Sequence, residues 1–184
     1  MADARKAAPP AIQTLDRIDR WITRIGLTGA FIFLPCLIFV RVFEIYTRNI
    51  VNQPSSLYNA MEREVFVVFI FLTFGAAYVS DGHVRVDVLR GRFSPRLKAW
   101  VEVIGAILLV APLTTIVIWF GWDMVASAVK HGERAAIFFG APMRWLVLAT
   151  LPFGVAVYAA AVFSRMTRNI LYLRGAAPMP ELLK

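Results

Sequence analysis

The chain is poor in the groups that most chemistry needs. Its 184 residues include one cysteine, Cys36, and two histidines, His83 and His131. A lone cysteine excludes an intrachain disulfide. This one lies mid-stretch in an apolar run beside Pro35, where a thiol behaves as an inert small hydrophobe. There is no Gly-rich phosphate loop and no nucleophile paired with a base, so an enzyme is not expected. Haem needs axial ligands, usually His, at one depth, and His83 and His131 flank different apolar stretches at opposite ends. His83 and Asp87, at i,i+4 if helical, give a metal two ligands without a third, a pattern that is more often a local hydrogen bond. No cofactor or metal is expected.

Charge is missing altogether from four stretches: Ile25–Val40, Val65–Ser80, Val103–Trp122 and Trp145–Ser164. Their polar content is essentially the hydroxyls of Thr28, Thr73, Thr114, Thr115 and Thr150, with Ser80 at an end. Ion pathways and proton relays normally place ionisable groups at membrane depth, and autonomous carriers show broken helices. Neither signature is present, so the chain lines no obvious transport route by itself.

What is there is membrane-embedding material. The chain is 59% hydrophobic with mean hydropathy +0.63, against roughly 45–50% apolar in soluble domains. A helix rises about 1.5 Å per residue and the hydrocarbon layer is about 30 Å thick, so the last two stretches span outright. The first two are shorter. They span if their ends recruit Val42, Phe43, Ile45, Tyr46 and Met61, leaving Arg41, Glu44, Glu62 and Glu64 at the interface. The expected fold is an all-α membrane protein with four transmembrane helices, near 22–46, 61–80, 98–123 and 143–164, in a single domain over 1–184. The alternative is two spans plus two buried helices.

The net charge of +8 is topological, not a nucleic-acid footprint. Arg5, Lys6, Arg17, Arg20 and Arg24 precede span one. Arg85, Arg90, Arg92, Arg96 and Lys98 separate spans two and three, and Arg165, Arg168, Arg174 and Lys184 follow span four. With four alternating spans these fall on one side, and the positive-inside rule makes that side cytoplasmic, with both termini inside. Residues 1–20 and 175–184 then form cytoplasmic tails. The N-terminus does not read as a cleavable signal, because its apolar run starts late and no small-x-small site follows. Ile12, Leu15, Ile18, Ile22 and Ile25 recur at helical spacing. They read as an amphipathic helix on the inner leaflet or, since no breaker intervenes, as a cytoplasmic extension of span one. Pro35, Pro112 and Pro152 each remove a backbone hydrogen bond inside a span. Gly26/Ala30 and Ala156/Ala160 allow close helix contact.

One segment beside a span gathers glycines, a histidine and paired charges: Gly75-Ala76-Ala77-Tyr78, then Gly82-His83-Val84-Arg85-Val86-Asp87-Val88-Leu89. Gly82 after Asp81 is a natural helix terminator. Ser94-Pro95 supplies an N-cap and a first-turn proline for helix three. The segment reads either as a solvated turn or as a docking surface for another subunit.

Taken in order along the chain, these pieces resemble the small membrane subunit, DctQ-like, of tripartite ATP-independent periplasmic (TRAP) transporters. Arg48, Asn52 and Pro54 resemble the family's Arg-x-x-x-Asn-x-Pro pattern, and Glu62 opens span two. Gly75-Ala76-Ala77 and His83-Val84-x-Val86-Asp87 resemble its Gly-Ala-Ala and His-(Val/Ile)-x-Val-Asp elements, while Pro142, Trp145 and Leu151-Pro152-x-Gly154 fit its fourth helix. Between Gly75 and His83 the chain is shorter than the family pattern and lacks its usual basic residue, so the exit of helix two is not carried over. The resemblance implies a multi-pass protein of the bacterial inner membrane. It would work in ion-gradient-driven, usually sodium-driven, import of an organic acid delivered by a periplasmic substrate-binding protein. A large permease subunit would hold the substrate and ion sites, and this chain would brace it in membrane lipid. Candidate partner-interface residues are His83, Arg85 and Asp87 inside, and Arg48 and Glu62, with the Lys130–Arg134 loop, outside. The rival reading is a standalone structural or assembly membrane protein, or a haem-free membrane anchor of a redox complex.

Overall fold

A computed structural model describes residues 10–52, 55–80 and 94–175. Four long helices account for nearly all of them: α1 (Pro10–Asn49), α2 (Ser56–Val79), α3 (Pro95–His131) and α4 (Arg144–Leu173). No strand occurs among the described residues; Ala135 and Ala141 form one isolated antiparallel bridge in the α3–α4 connection.

Each boundary has a local cause. Ser94 caps α3 by accepting a hydrogen bond from the Leu97 N–H (3.4 Å), with Pro95 in the first turn where its missing N–H costs nothing. At the far end of α3, Gly132 takes φ +60°. The Gly132 N–H then donates to the Val129 carbonyl and the Glu133 N–H to that of Ala128, which is a Schellman ending. Inside α3, Ala106–Val110 widens into a π-helical turn, and the Ala111 N–H reaches back to the Ala106 carbonyl. The cause is Pro112. It offers no N–H to the carbonyl four residues back and its ring crowds that carbonyl, so the extra residue per turn relieves the strain.

The helices alternate in direction. Arg41 meets Glu62 and Phe43 meets Tyr58 at one end of the α1–α2 pair, while Gly26 meets Ala76 at the other. Val68 clusters with Val147, Phe74 stacks on Tyr158 (4.4 Å) and Arg165 reaches Tyr78, so α2 and α4 run parallel. Glu102 meets Asn169, making α3 antiparallel to α4. The bundle therefore has a loop end, with the α1–α2 and α3–α4 connections, and a terminal end, with the start of α1 and the end of α4. Close approach is made by glycines. A Cβ on Gly26 would strike the Ala76 side chain, and one on Gly154 would strike the Phe71 carbonyl. Gly26 thus acts as its sequence position suggests, whereas Ala156 is exposed and α4 makes its contact through Gly154 instead.

Three helices, α1, α3 and α4, are long and apolar enough to cross a membrane. The expected fourth, α2, falls short by composition. Its 24 residues carry Glu62, Arg63 and Glu64 near the start, so every stretch of 18 residues within it includes all three charges. At about 1.5 Å per residue the 40 residues of α1 reach about 60 Å, twice the hydrocarbon thickness. Its first turns therefore continue beyond the membrane as one unbroken rod, the extension rather than a separate surface helix. Leu15 and Ile22 on its apolar stripe are buried. Exposed Trp21 and Trp100 at the terminal end, and Tyr46 and Trp122 at the loop end, mark two aromatic levels. Trp100 and Trp122 lie roughly 33 Å apart along α3, which suits a bilayer whose interfaces attract such rings.

Candidate functional site

Polar side chains concentrate at the two ends, and the interior between them is inert. The hydroxyls of Thr73, Thr114, Thr115 and Thr150 all donate to carbonyls one turn back, at 2.8, 2.7, 2.8 and 2.6 Å. Those hydroxyl protons are spent within their own helices, so none of the four ties one helix to another. No group of three or more His, Cys, Asp or Glu capable of holding a metal occurs among the described residues. His131 is tied to Ser127 one turn back (2.8 Å to its carbonyl).

The loop end is built around a carboxylate that the sequence places merely at an interface. Glu44, on the last third of α1, is 1% exposed. Its Oε1 lies 3.4 Å from Arg48 and its Oε2 lies 3.6 Å from Arg41. Arg41 turns its shorter bond, 2.9 Å, across to Glu62 of α2. Glu44 Oε2 consequently has no hydrogen-bond partner. Arg48 and Glu62, candidates for partner contact at the outer face, are thus joined in one chain of alternating charge through Arg41 and Glu44, which the sequence placed at the interface but not among those candidates. The i,i+3 and i,i+4 spacing of Arg41, Glu44 and Arg48 was a readable signal, since such pairs share a helix face. Burial of the middle member was not, because it depends on α2 packing over it. Beside this chain Glu64 accepts the Ile137 N–H (2.8 Å), pinning the α3–α4 connection to α2. Within that connection Ala135 is fully buried, while Phe139, at φ +51°, is exposed. Asn52 takes φ +56°, so the family-like Asn after Arg48 occupies a left-handed position that asparagine tolerates better than most residues.

The terminal end is tied across helices. Arg168 of α4 bonds Asp16 (2.9 Å) and Asp19 (2.8 Å) of α1. Asn169, 1% exposed, donates to Glu102 of α3 (2.6 Å). Arg165 donates to the Tyr78 carbonyl (3.1 Å) and lies 4.5 Å from the centroid of the Tyr78 ring, satisfying one of the last carbonyls of α2. The sequence marks Arg165 and Arg168 only as basic flank; their partners lie 87 and about 150 residues away in the chain and left no local trace. His83, Arg85 and Asp87, expected at this end, lie outside the described residues.

An alternating helical bundle with charge-free apolar stretches, polar ends and long apolar helices describes a membrane-embedded protein. The family model for tripartite ATP-independent periplasmic transporters, DctQ component, matches residues 37–171. The chain belongs to this family. It is the small membrane component of a TRAP transporter and a multi-pass protein of the inner membrane. TRAP systems pair a DctQ component with a large permease and a periplasmic binding protein. No match was found among curated proteins or among solved structures.

Proposed function

We propose that this DctQ component braces a large permease subunit during ion-gradient-driven, sodium-driven, import of an organic acid handed over by a periplasmic binding protein. In this reading all 184 residues form one membrane domain, and α2 is the fourth crossing. Its end charges suit that role: Glu62 is paired with Arg41, and Glu64 accepts a backbone N–H. The observation that carries the reading is the inert interior. With no ionisable group inside the apolar stretches, the described residues lack the charged groups that ion pathways normally place at membrane depth. The permease must supply those sites.

Reconstitution tests it. Liposomes holding this chain alone should show no sodium-dependent uptake of organic acid, even with binding protein added. Adding the large permease should restore uptake. Sodium-driven uptake by the purified small component would end the reading, as would full activity of the permease and binding protein without it.

The orientation that fits the charge pattern has the terminal end in the cytoplasm. Fourteen of the twenty Lys and Arg residues lie, in sequence, before α1's apolar run, between those of α2 and α3, or after that of α4, the six others being Arg41, Arg48, Arg63, Lys130, Arg134 and Arg144. The loop end, with Arg48 and Glu62, then meets the binding protein in the periplasm. In a Cys36→Ala background, Glu133→Cys should label from outside intact cells with an impermeant thiol reagent, and Ser94→Cys should not. The opposite pattern would invert the topology and move the docking face.

A further inference from the structure

At the terminal end an open groove of about 390 Å³ runs between α1 and the last turn of α2, lined by Asp16, Asp19, Arg20, Thr23, Arg24 and Val79. That volume falls within the range of small-molecule sites, about 300–1,000 Å³. Its charges are sorted. Arg168 engages one oxygen of each carboxylate, Asp16 Oδ1 and Asp19 Oδ2, and each keeps accepting capacity on its other oxygen. Among the described residues Arg20 and Arg24 make no ion pair; Arg24 rests against the Trp21 ring, 5.7 Å from its centroid. Spaced i,i+4, the two guanidiniums share a face. The groove therefore presents two free cations beside two carboxylates with spare oxygens. The C-terminus of α2, whose dipole favours a cation, closes it at Val79.

We propose that this groove binds the headgroup of an aminophospholipid, phosphoethanolamine. The phosphodiester would sit between Arg20 and Arg24, and the primary ammonium would donate to Asp16 and Asp19. Two features select a lipid over a free phosphate compound. Trp21, 64% exposed on the same turn, marks the level where aromatic rings meet headgroups. Below Arg24 the same face continues through Leu27, 63% exposed, and Phe31, 84% exposed. Those residues give an acyl chain a surface directly beneath the charged site. The carboxylates select ethanolamine over choline, whose quaternary nitrogen has no N–H to donate, and over glycerol, which brings no cation. The inference needs only membrane residence and holds whichever end faces the cytoplasm.

Native mass spectrometry of the delipidated full chain, titrated with phosphatidylethanolamine, phosphatidylcholine and phosphatidylglycerol, tests it. One phosphatidylethanolamine should remain bound under activation that strips the other two. Arg20→Gln with Arg24→Gln should lower its occupancy about tenfold, as expected for the loss of two charge-assisted hydrogen bonds in a half-open site. Arg17→Gln with Arg96→Gln, which removes equal charge from the same end, should not. Equal retention of all three lipids, or unchanged retention in the Arg20/Arg24 variant, overturns the proposal. So does an equal loss in the Arg17/Arg96 variant, which would indicate a diffuse basic surface. Should the Arg20/Arg24 variant fail to fold, Val79→Trp fills the groove with its charges intact and should displace the lipid; unchanged retention there is also decisive against it.

Discussion

The two ends of the bundle use similar side chains in opposite ways. At the terminal end the ties are long-range. Arg168 reaches back from α4 to α1, Asn169 joins α4 to α3, and Arg165 caps α2. Each links two helices. At the loop end the charges are mostly local. Arg41, Glu44 and Arg48 are neighbours on one helix, a single strong bond crosses to α2 at Glu62, and the most buried carboxylate keeps an oxygen with no partner. A buried acceptor left unmade costs about 1–3 kcal/mol. The terminal end is thus where this chain holds itself together. The loop end carries an unmet bonding demand and two half-exposed arginines. Free bonding capacity beside charge is what a docking face needs, whereas ties between helices are what a brace needs; at the terminal end the one buried side-chain atom without a partner, Ser164 Oγ, is an uncharged hydroxyl.

The sharpest way to break this contrast uses the residues outside the described structure. If the terminal end also docks a partner, the segment between α2 and α3 that carries His83, Arg85 and Asp87 is the candidate from sequence. An Asp–Arg pair buried against the permease would cost about 3–5 kcal/mol to break, against about 0–1 kcal/mol when exposed. Asp87→Ala should therefore abolish uptake or prevent co-purification with the permease, while Arg92→Ala does little. Normal assembly and uptake in Asp87→Ala would leave the turn as an ordinary connection and assign docking to the loop end alone.

Glu44→Gln probes the loop end. Removing a buried charge relieves desolvation while losing attraction to Arg41 and Arg48, two effects that largely offset each other. The thermal stability of the isolated component should change little. The arginines, however, lose the group that orients them, and docking of the binding protein should weaken on the order of tenfold, equivalent to about 1.4 kcal/mol. This is measured as the concentration of binding protein giving half-maximal uptake. A large fall in Tm with unchanged uptake would make Glu44 structural and erase the distinction between the ends.

Arg168→Ala should do the reverse. It leaves Asp16 and Asp19, each about a quarter to a third exposed, without their shared cation. A loss of about 1–2 kcal/mol, between exposed and buried pairs, corresponds to about 2–8 °C in Tm for a chain of this size. Once the complex is assembled at permissive temperature, half-maximal binding-protein concentration should stay unchanged.

Much of this was legible in the sequence, and the gaps have physical causes. Charge-free stretches gave the helices, and short motifs such as Gly75-Ala76-Ala77 and Leu151-Pro152-x-Gly154 gave the family. Ser94-Pro95 gave the start of α3, because capping is written in adjacent residues. The number of apolar crossings was harder: Glu62, Arg63 and Glu64 make α2 too charged by composition, and only their partners, Arg41 and the Ile137 N–H, show how such an end is tolerated. Arg48 and Glu62 were partner-contact candidates from sequence, whereas Glu44, which with Arg41 joins them, was placed only at the interface. Spacing placed Glu44 beside Arg48, but its burial is decided by a second helix. The π-helical turn before Pro112 was expected only as a bend, since the sequence fixes the missing N–H and not how the backbone accommodates it.

The smallest expected effect tests whether position alone explains the contrast. Arg144 and Glu133 form an ion pair at the loop end, 3.4 Å apart, with side chains 50% and 37% exposed. Water screens such a pair, and holding two long side chains together costs rotamer entropy, so exposed pairs contribute about 0–1 kcal/mol. Arg144→Ala should leave stability within about 1 kcal/mol of wild type and leave half-maximal binding-protein concentration unchanged. That outcome beside a clear effect of Glu44→Gln would show that docking depends on the buried carboxylate and the arginines it orients. If Arg144→Ala weakens docking as much as Glu44→Gln, the whole charged rim contributes and the unpartnered oxygen of Glu44 has no special role.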